Sequence, residues 1–337
     1  MSLTKVELSE AEIGDLVRQA FGTAARVASV RAATEGKYNA GYYLELAGSG
    51  PARSFLKVAP PPTLPVLTYE HDLMRTEIEV MRGLAKAGVQ PVPAIQAVDL
   101  SRRRVDRDCL FMAWLDGPLF SKVGPSLDLA DRVELRRQVG RIAGAAHRIG
   151  APVFGYPGQP RLQAPTWPEA FGLMIAALLD DAVRFDAVLP LPIDEIRVAF
   201  ERASPLLGEV EAARLTHFDL WDSNVLVRQD ADGWAVSGVI DWERAFYGDP
   251  LADVVSLTLF DSPPERAALL QGLSDGRGEA AEVSPEDERR LALYRAYLWL
   301  IMIVEAGPRG FAGSIRLPTS RAARRLIRDL AMASEAG

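Results

Sequence analysis

The feature that most restricts how this chain can fold is a change of pattern near Gly117. Before it, apolar residues recur with the two-residue period of half-buried strands, at 25–33, 41–47, 53–59, 94–100 and 109–115. One helix-period segment, about 69–87, interrupts them, and links such as "GSGP" (48–51) suit hairpins. After it, the period turns helical, at about 128–149, 167–187 and 192–213, then at 249–260, 264–273, 285–306 and 318–334. A single hairpin, "NVLVRQDADGWAVSGVID", breaks that series, with its turn at 230–233. The pattern predicts an α+β protein of two lobes. An N-terminal lobe, 1–116, is an antiparallel sheet plus a helix, and a larger, mostly helical lobe, 117–337, follows after one crossing at 112–118. A cleft between lobes is where ligands usually bind.

Local signals agree with this reading. Ser9 reads as an N-cap with Glu12 closing a capping box and Gly22 beyond the helix end. Ser284 caps a later helix, with Pro285 at its first position and Glu286, Asp287 and Glu288 in its first turn. At 337 residues and 48% apolar content the chain can bury a sizeable core. Its longest apolar run, "YLWLIMIV" (297–304), is far short of the roughly 20 residues a membrane span needs. No apolar leader core opens the sequence, and the lone Cys109 has no internal partner, so the expectation is a cytoplasmic protein with no membrane association. Nor is there a basic nucleic-acid footprint: the arginines of "RAARRLIR" (321–328) read as the outer face of a terminal helix.

Charge is concentrated in one place. The window 216–250 holds seven acids and two bases, most of the net −7 of the whole chain. These acids are interleaved with apolar, strand-like residues, which suits a metal site better than a solvated face. In "LTHFDLWDSNVLV" (215–227), Asp219 and Asn224 lie five residues apart on one loop, and Asp241 closes the return strand of the hairpin that Asn224 opens. Strand pairing therefore brings Asn224 and Asp241 side by side. A carboxylate beside a carboxamide oxygen offers hard ligands for Mg²⁺, while Asp219 remains free to accept a proton from a hydroxyl. Other chemistries lack their motifs: there is no G-x-x-x-x-G-K-[ST] loop, no H-E-x-x-H and no G-x-S-x-G, and three scattered histidines with one cysteine make poor zinc ligands.

"HFDLWDSNVLV" followed by "VIDWERAFYGDPLADV" resembles the catalytic core of the aminoglycoside phosphotransferase and choline-kinase-like family of small-molecule kinases. That core usually reads H-G-D-x-x-x-x-N, then I-D-W/F, then G-D-P-x-x-D. The resemblance runs from about residue 27 to 260 and implies a protein-kinase-like fold, a nucleotide (ATP, with GTP possible) and Mg²⁺. It implies Asp219 as catalytic base, Asn224 and Asp241 as metal ligands, and Lys57 of "SFLKVA" on the α- and β-phosphates. Glu77 would pair with Lys57, with Glu70 and Glu79 as competitors for that role. "CLFMAWLDG" resembles the adenine-binding hinge, so the backbone of Met112, Ala113 and Trp114 would take the adenine edge. "RIAGAAHRIG" (141–150) resembles the helix before the catalytic loop.

Phe218 stands where the family has glycine, Trp221 where it often has histidine, and the segment 34–43 has Gly36 and Gly41 but no G-x-G-x-x-G. His217 is expected to brace the loop. Asp249 is expected to brace it too or to cap the next helix, and Asp253 to be structural. Asp222 could face the acceptor or solvent, and Glu243 the acceptor or the metal. Only "WERAFYG" separates Asp241 from Asp249, too short for the activation segment on which protein substrates dock, so the expected acceptor is a small-molecule hydroxyl and not a protein.

The sequence favours a sugar-containing antibiotic or related metabolite over a polycationic aminoglycoside, because residues 121–215 are nearly neutral and the tail is basic, short of the dense acidic pocket that several ammonium groups would need. Candidate walls are 167–187, with Asp180 and Asp181, and 251–300, with nine acids against five bases. An excess of arginine over lysine, 33 to five, is typical of GC-rich bacteria, which often carry antibiotic-modifying or antibiotic-building kinases. Aminoglycoside, amino-sugar and choline-like acceptors are the alternatives within enzymes. A nucleotide-binding module without turnover is the alternative outside them.

Overall fold

The computed structural model describes residues 3–36, 38–231, 233–258, 261–279, 283–310 and 316–334. The chain divides into two compact units, one of Met1–Val66 with Val92–Leu115 and one of Leu67–Pro91 with Asp116–Gly337.

In the first unit, helix α1 (Glu10–Phe21) has the capping box read from the sequence: the Glu12 N–H donates to Ser9 Oγ, and Glu12 Oε2 accepts the Ser9 N–H at 2.8 Å. Five antiparallel strands follow, β1 (Arg26–Ala32), β2 (Ala40–Ala47), β3 (Arg53–Val58), β4 (Ile95–Asp99) and β5 (Cys109–Met112), in the order β1-β2-β3-β5-β4. Ile13, Leu16 and Val17 of α1 pack on Leu44, Leu56, Val58 and Phe111 to make the core of this unit. The turn ahead of β2 includes residue 37, which lies outside the described residues, so the nucleotide-covering segment is described only in part.

The second unit opens with a 3₁₀ turn (Thr68–Glu70) and helix α2 (Leu73–Lys86), where the sequence suggested one helix. It continues through α3 (Phe120–Val123), α4 (Leu129–Ala146), α5 (Trp167–Arg184) and α6 (Ile193–Ala203). The helix expected over 192–213 stops at Ala203 because Pro205 cannot supply an amide to continue it, and a 3₁₀ stretch, Ser204–Glu209, takes over. A small sheet gathers β6 (Phe154–Gly155), β7 (Gln163–Ala164), β8 (Arg214–Thr216) and, from further along the chain, Phe246–Gly248.

The expected hairpin is β9 (Val225–Asp230) with β10 (Gly233–Val239), and β11 is the Phe246–Gly248 strand. Asp230 pairs with Gly233, and residue 232 of the expected turn lies outside the described residues. Helices α7 (Ala252–Thr258), α8 (Pro263–Arg277), α9 (Pro285–Val304) and α10 (Arg316–Ser334) complete the unit. Residues 259 and 260, the expected end of α7, also lie outside the described residues.

Two features of this unit position the site. Helices α4 and α8 meet at their glycines: a Cβ on Gly140 would stand 2.3 Å from the Leu269 carbonyl oxygen, and one on Gly272 2.0 Å from that of Arg137. Only glycine permits such an approach. After its charged first turns, helix α9 is apolar on all sides and forms the core, buried from Leu291 to Val304 apart from Arg295 and Met302. Its Tyr294 and Tyr297 meet an aromatic cluster of Trp167, Phe171 and Phe246. On α10, Arg321, Arg324 and Arg328 are exposed, as the terminal-helix reading expected. Among the described residues no helix is long and apolar enough to cross a membrane.

Candidate active site

The loop between β8 and β9 carries Asp219 and Asn224, and its backbone is pinned from three directions. Phe218 takes φ +62°, a left-handed conformation that costs a non-glycine residue roughly 1–2 kcal/mol. A left-handed backbone is the one glycine adopts most readily, so Phe218 holds a glycine-like conformation at the cost of strain. Two things hold Phe218 there. Its N–H donates to Asp253 Oδ1 at 2.7 Å, and its buried ring packs on Phe246 and Tyr297 at centroid distances of 5.1 and 5.6 Å. Burying such a ring is worth about 1.5–3 kcal/mol, enough to offset the strain. The next anchor is the Leu220 N–H, donated to Ser256 Oγ at 3.1 Å.

His217 braces the loop, as expected. Its Nδ1 accepts the Asp219 N–H at 3.3 Å, so Nε2 carries the proton and donates to the Ile240 carbonyl at 3.0 Å. Its ring lies 4.4 Å from that of Trp242. Asp253, expected only as a structural residue, is the carboxylate that ties α7 to this loop. Its Oδ2 accepts His147 Nε2 at 2.7 Å, while His147 Nδ1 accepts Arg277 Nε at 3.0 Å across the α4–α8 contact. Asp249 instead caps α7's approach: Oδ1 accepts the Leu251 N–H at 2.9 Å and Oδ2 accepts the Tyr294 hydroxyl at 2.7 Å.

Asn224 and Asp241 sit at one end of the hairpin. Val225 pairs with Val239, and the Ile240 N–H donates to the Asn224 carbonyl at 3.0 Å, continuing the ladder one step. Asn224 Nδ2 donates to the Asp219 carbonyl at 2.7 Å, which leaves Oδ1 as the atom for a ligand. Asp241 takes φ +68°, a conformation its short polar side chain tolerates, and turns the chain into the 3₁₀ segment Trp242–Arg244. Glu77 of α2 joins it: single carboxylate oxygens of Glu77, Asp241 and Glu243 lie within 4.8 Å of one another. This is a hard-oxygen donor set suited to a divalent cation such as Mg²⁺, and it gives Glu243 a place on the metal side of the site.

The Asp219 carboxylate has different surroundings. Trp221 Nε1 donates to its Oδ1 at 2.6 Å, and Arg244 Nε lies 3.8 Å from its Oδ2. Burial pushes this carboxyl above its ordinary range, the Arg244 guanidinium opposes the rise, and Asp241 adds to it. Trp221 thus supplies a donor to the carboxylate from two residues along the loop. Asp222 is partly exposed and is held by Arg136 of α4, whose guanidinium also reaches Asp261 at 2.6 Å. Asp180 is exposed, and Asp181 is committed to Thr68 and Arg184, so α5 does not present the paired acidic wall expected of it.

In the first unit, Lys57 is 7% exposed on β3, between fully buried Leu56 and Val58, and pairs with Gly41 and Leu110. Met112, at the end of neighbouring β5, pairs with Phe55. The Ala113 N–H is committed to the Ala94 carbonyl at 2.8 Å, so it is not available as a donor to an adenine edge. Arg53 stacks over the Trp114 ring at 4.7 Å.

Comparison with known proteins places this geometry in context. Residues 29–294 match the model of a phosphotransferase enzyme family, described as APH. No curated protein matches the sequence. Solved structures do match. They include the ternary complex of APH(2″)-IIa with streptomycin and ATP, at 16% identity and TM-score 0.61, covering 98% of this chain and 100% of that one. A thermostable APH(4)-Ia mutant with ADP and hygromycin B matches at 16% identity and TM-score 0.62, covering 96% and 100%. The GDP complex of aminoglycoside 2′-phosphotransferase-IIIa matches at 15% identity and TM-score 0.63, covering 96% and 99%. With the family model spanning most of its length and the kinase-like fold shared with these structures, the chain belongs to the phosphotransferase enzyme family.

Proposed function

We propose that this protein transfers the γ-phosphoryl group of ATP, or of GTP, to a hydroxyl of a sugar-containing antibiotic or related metabolite in the cytoplasm. The observation that carries the reading is the Asp219 carboxylate, oriented by Trp221 and flanked by Arg244 on a loop whose other end presents Asn224 beside Asp241. Asp219 accepts the proton of the acceptor hydroxyl as its oxygen bonds to the γ-phosphorus. The β–γ bridging bond breaks and the nucleoside diphosphate departs with that electron pair. Asn224 Oδ1 and Asp241, with Glu243 alongside, would hold Mg²⁺, which when bound neutralises phosphate charge. Lys57 would neutralise the α- and β-phosphates and the Met112–Trp114 backbone would take the base, while Glu77, beside Asp241 and Glu243, would join the donor set for the metal.

The related structures that hold ATP, ADP and GDP support a nucleotide donor of either purine. Those with streptomycin and hygromycin B support a hydroxyl-rich small-molecule acceptor. The test is nucleotide-diphosphate release with a panel of sugar-bearing antibiotics, aminoglycosides, amino sugars and choline-like alcohols, with ATP and with GTP. Acceptor-dependent release by at least one compound is the expected result. Nucleotide binding without acceptor-dependent release across the panel would favour the non-catalytic module instead.

A further inference from the structure

Four charged side chains run outward from Asp219 in an unbroken series. Arg244 Nε lies 3.8 Å from Asp219 Oδ2, and Arg244 Nη2 donates to Glu305 Oε2 at 2.8 Å. The same Glu305 oxygen accepts Arg309 Nη2 at 3.0 Å, and that nitrogen also lies 2.5 Å from Glu70 Oε1. The members come from the turn after β10, the end of α9 and its following turn, and the 3₁₀ turn before α2. Tyr69 lies beside them, its ring centroid 5.8 Å from the Arg244 guanidinium and its face stacked on Tyr156. Among the described residues its buried hydroxyl has no hydrogen-bond partner.

Burial gives the series a direction. The side chains of Glu70 and Arg309 are 2% and 7% exposed, those of Arg244 and Glu305 11% and 16%, and that of Asp219 18%. The end a ligand can touch is therefore the end beside the base. An acceptor hydroxyl must come within hydrogen-bond reach of the Asp219 carboxylate. Trp221 occupies Oδ1, so the approach is to Oδ2, the oxygen that Arg244 flanks. An ammonium group next to that hydroxyl would meet a guanidinium, while the nearby carboxylate of Glu305 already holds two arginines. Of the other acids around the loop, Asp222 is committed to Arg136, Asp181 to Thr68 and Arg184, and Asp249 to Tyr294, while Asp241 and Glu243 belong with Glu77 to the donor set that would hold the metal.

We propose that the Arg244–Glu305–Arg309–Glu70 series is a specificity element that keeps the acceptor side of Asp219 electrically balanced and selects a neutral sugar hydroxyl over one flanked by ammonium groups. The proposal rests on the reading of Asp219 as base and names the acceptor class for it. Specificity here is a difference between two affinities, set by a repulsive element as much as by an attractive one. Kanamycin A and its fully N-acetylated form present the same hydroxyls with and without charge, so they isolate the effect.

With ATP and Mg²⁺, wild type should show a kcat/KM for the acetylated form at least about tenfold above that for the charged form, the scale of a modest electrostatic discrimination. Arg309→Gln, which leaves the carboxylates in excess, should move the ratio toward the charged form. Glu305→Gln should move it the other way, so the pair remains informative if one variant folds poorly. A wild type that favours the charged form, that treats both forms alike, or whose ratio neither variant moves overturns the proposal. Asp219→Asn assayed in parallel separates the two readings: turnover surviving in it means the base assignment has failed, whereas turnover lost there with the ratio reversed means only the selectivity has.

Discussion

Phe218 allows a stability prediction whose sign is opposite to the usual one. Its backbone sits at φ +62°, and its ring is 2% exposed against Phe246 and Tyr297. Phe218→Ala empties that space while keeping the left-handed strain, so it should cost about 3–5 kcal/mol of unfolding free energy. Phe218→Gly empties the same space, and glycine's extra freedom in the unfolded chain adds about 0.5–1 kcal/mol to the loss. Against this it relieves the roughly 1–2 kcal/mol that a Cβ pays in the left-handed region. The difference leaves the glycine variant more stable than the alanine variant by roughly 0.5–1 kcal/mol, whereas at an ordinary position alanine is the more stable. Urea unfolding of the wild type and both variants near neutral pH, followed by tryptophan fluorescence, measures this directly. A Phe218→Ala protein more stable than Phe218→Gly would refute the claim that this loop is strained at Phe218.

Other expectations concern the metal and pH. Asp241→Ala should abolish Mg²⁺-dependent turnover and Asn224→Ala should raise the Mg²⁺ needed for half-maximal rate; a Mg²⁺ titration unchanged in both would remove the assignment of the hairpin end. Burial holds His147 below its ordinary value. For Asp253 burial acts upward, but the His147 hydrogen bond and the Phe218 amide win and hold it below the carboxylate range. Both groups bind protons less tightly folded than unfolded. The stability they contribute is therefore present above about pH 6.5, begins to fall as His147 charges, and falls further below about pH 4 as Asp253 is protonated. Urea midpoints should drop between pH 7 and pH 5, and His147→Phe should flatten that drop; a midpoint that rises on acidification contradicts the assignment.

What was legible in the sequence was local or periodic. The α1 capping box needs only residues three apart, and the hairpin that brings Asn224 to Asp241 follows from alternation on two short strands with a turn between them. Phe218 gave a readable signal as well, since a bulky residue at a glycine position points to backbone strain or to an altered loop. The Arg244–Glu305–Arg309–Glu70 series left no such trace, because Glu70 and Arg309 are 239 residues apart and no periodicity links them. Asp249 and Asp253 show the same limit. Both are acids near the start of one helix, and only the tertiary position of His147 on α4 decides that Asp253 braces the catalytic loop while Asp249 does the capping. Helix ends were misread where proline or a 3₁₀ turn intervened, as at Pro205 and at Thr68–Glu70.

The central claim is that Asp219 takes the proton of the acceptor while other residues bind the nucleotide. It is tested most directly by kcat and nucleotide Kd measured side by side for wild type and Asp219→Asn, with an acceptor that supports turnover. The account predicts a fall in kcat of about 10²–10⁴-fold, the usual contribution of a general base, with nucleotide Kd nearly unchanged. A variant that keeps the wild-type kcat, or one that loses nucleotide binding together with its activity, would contradict it.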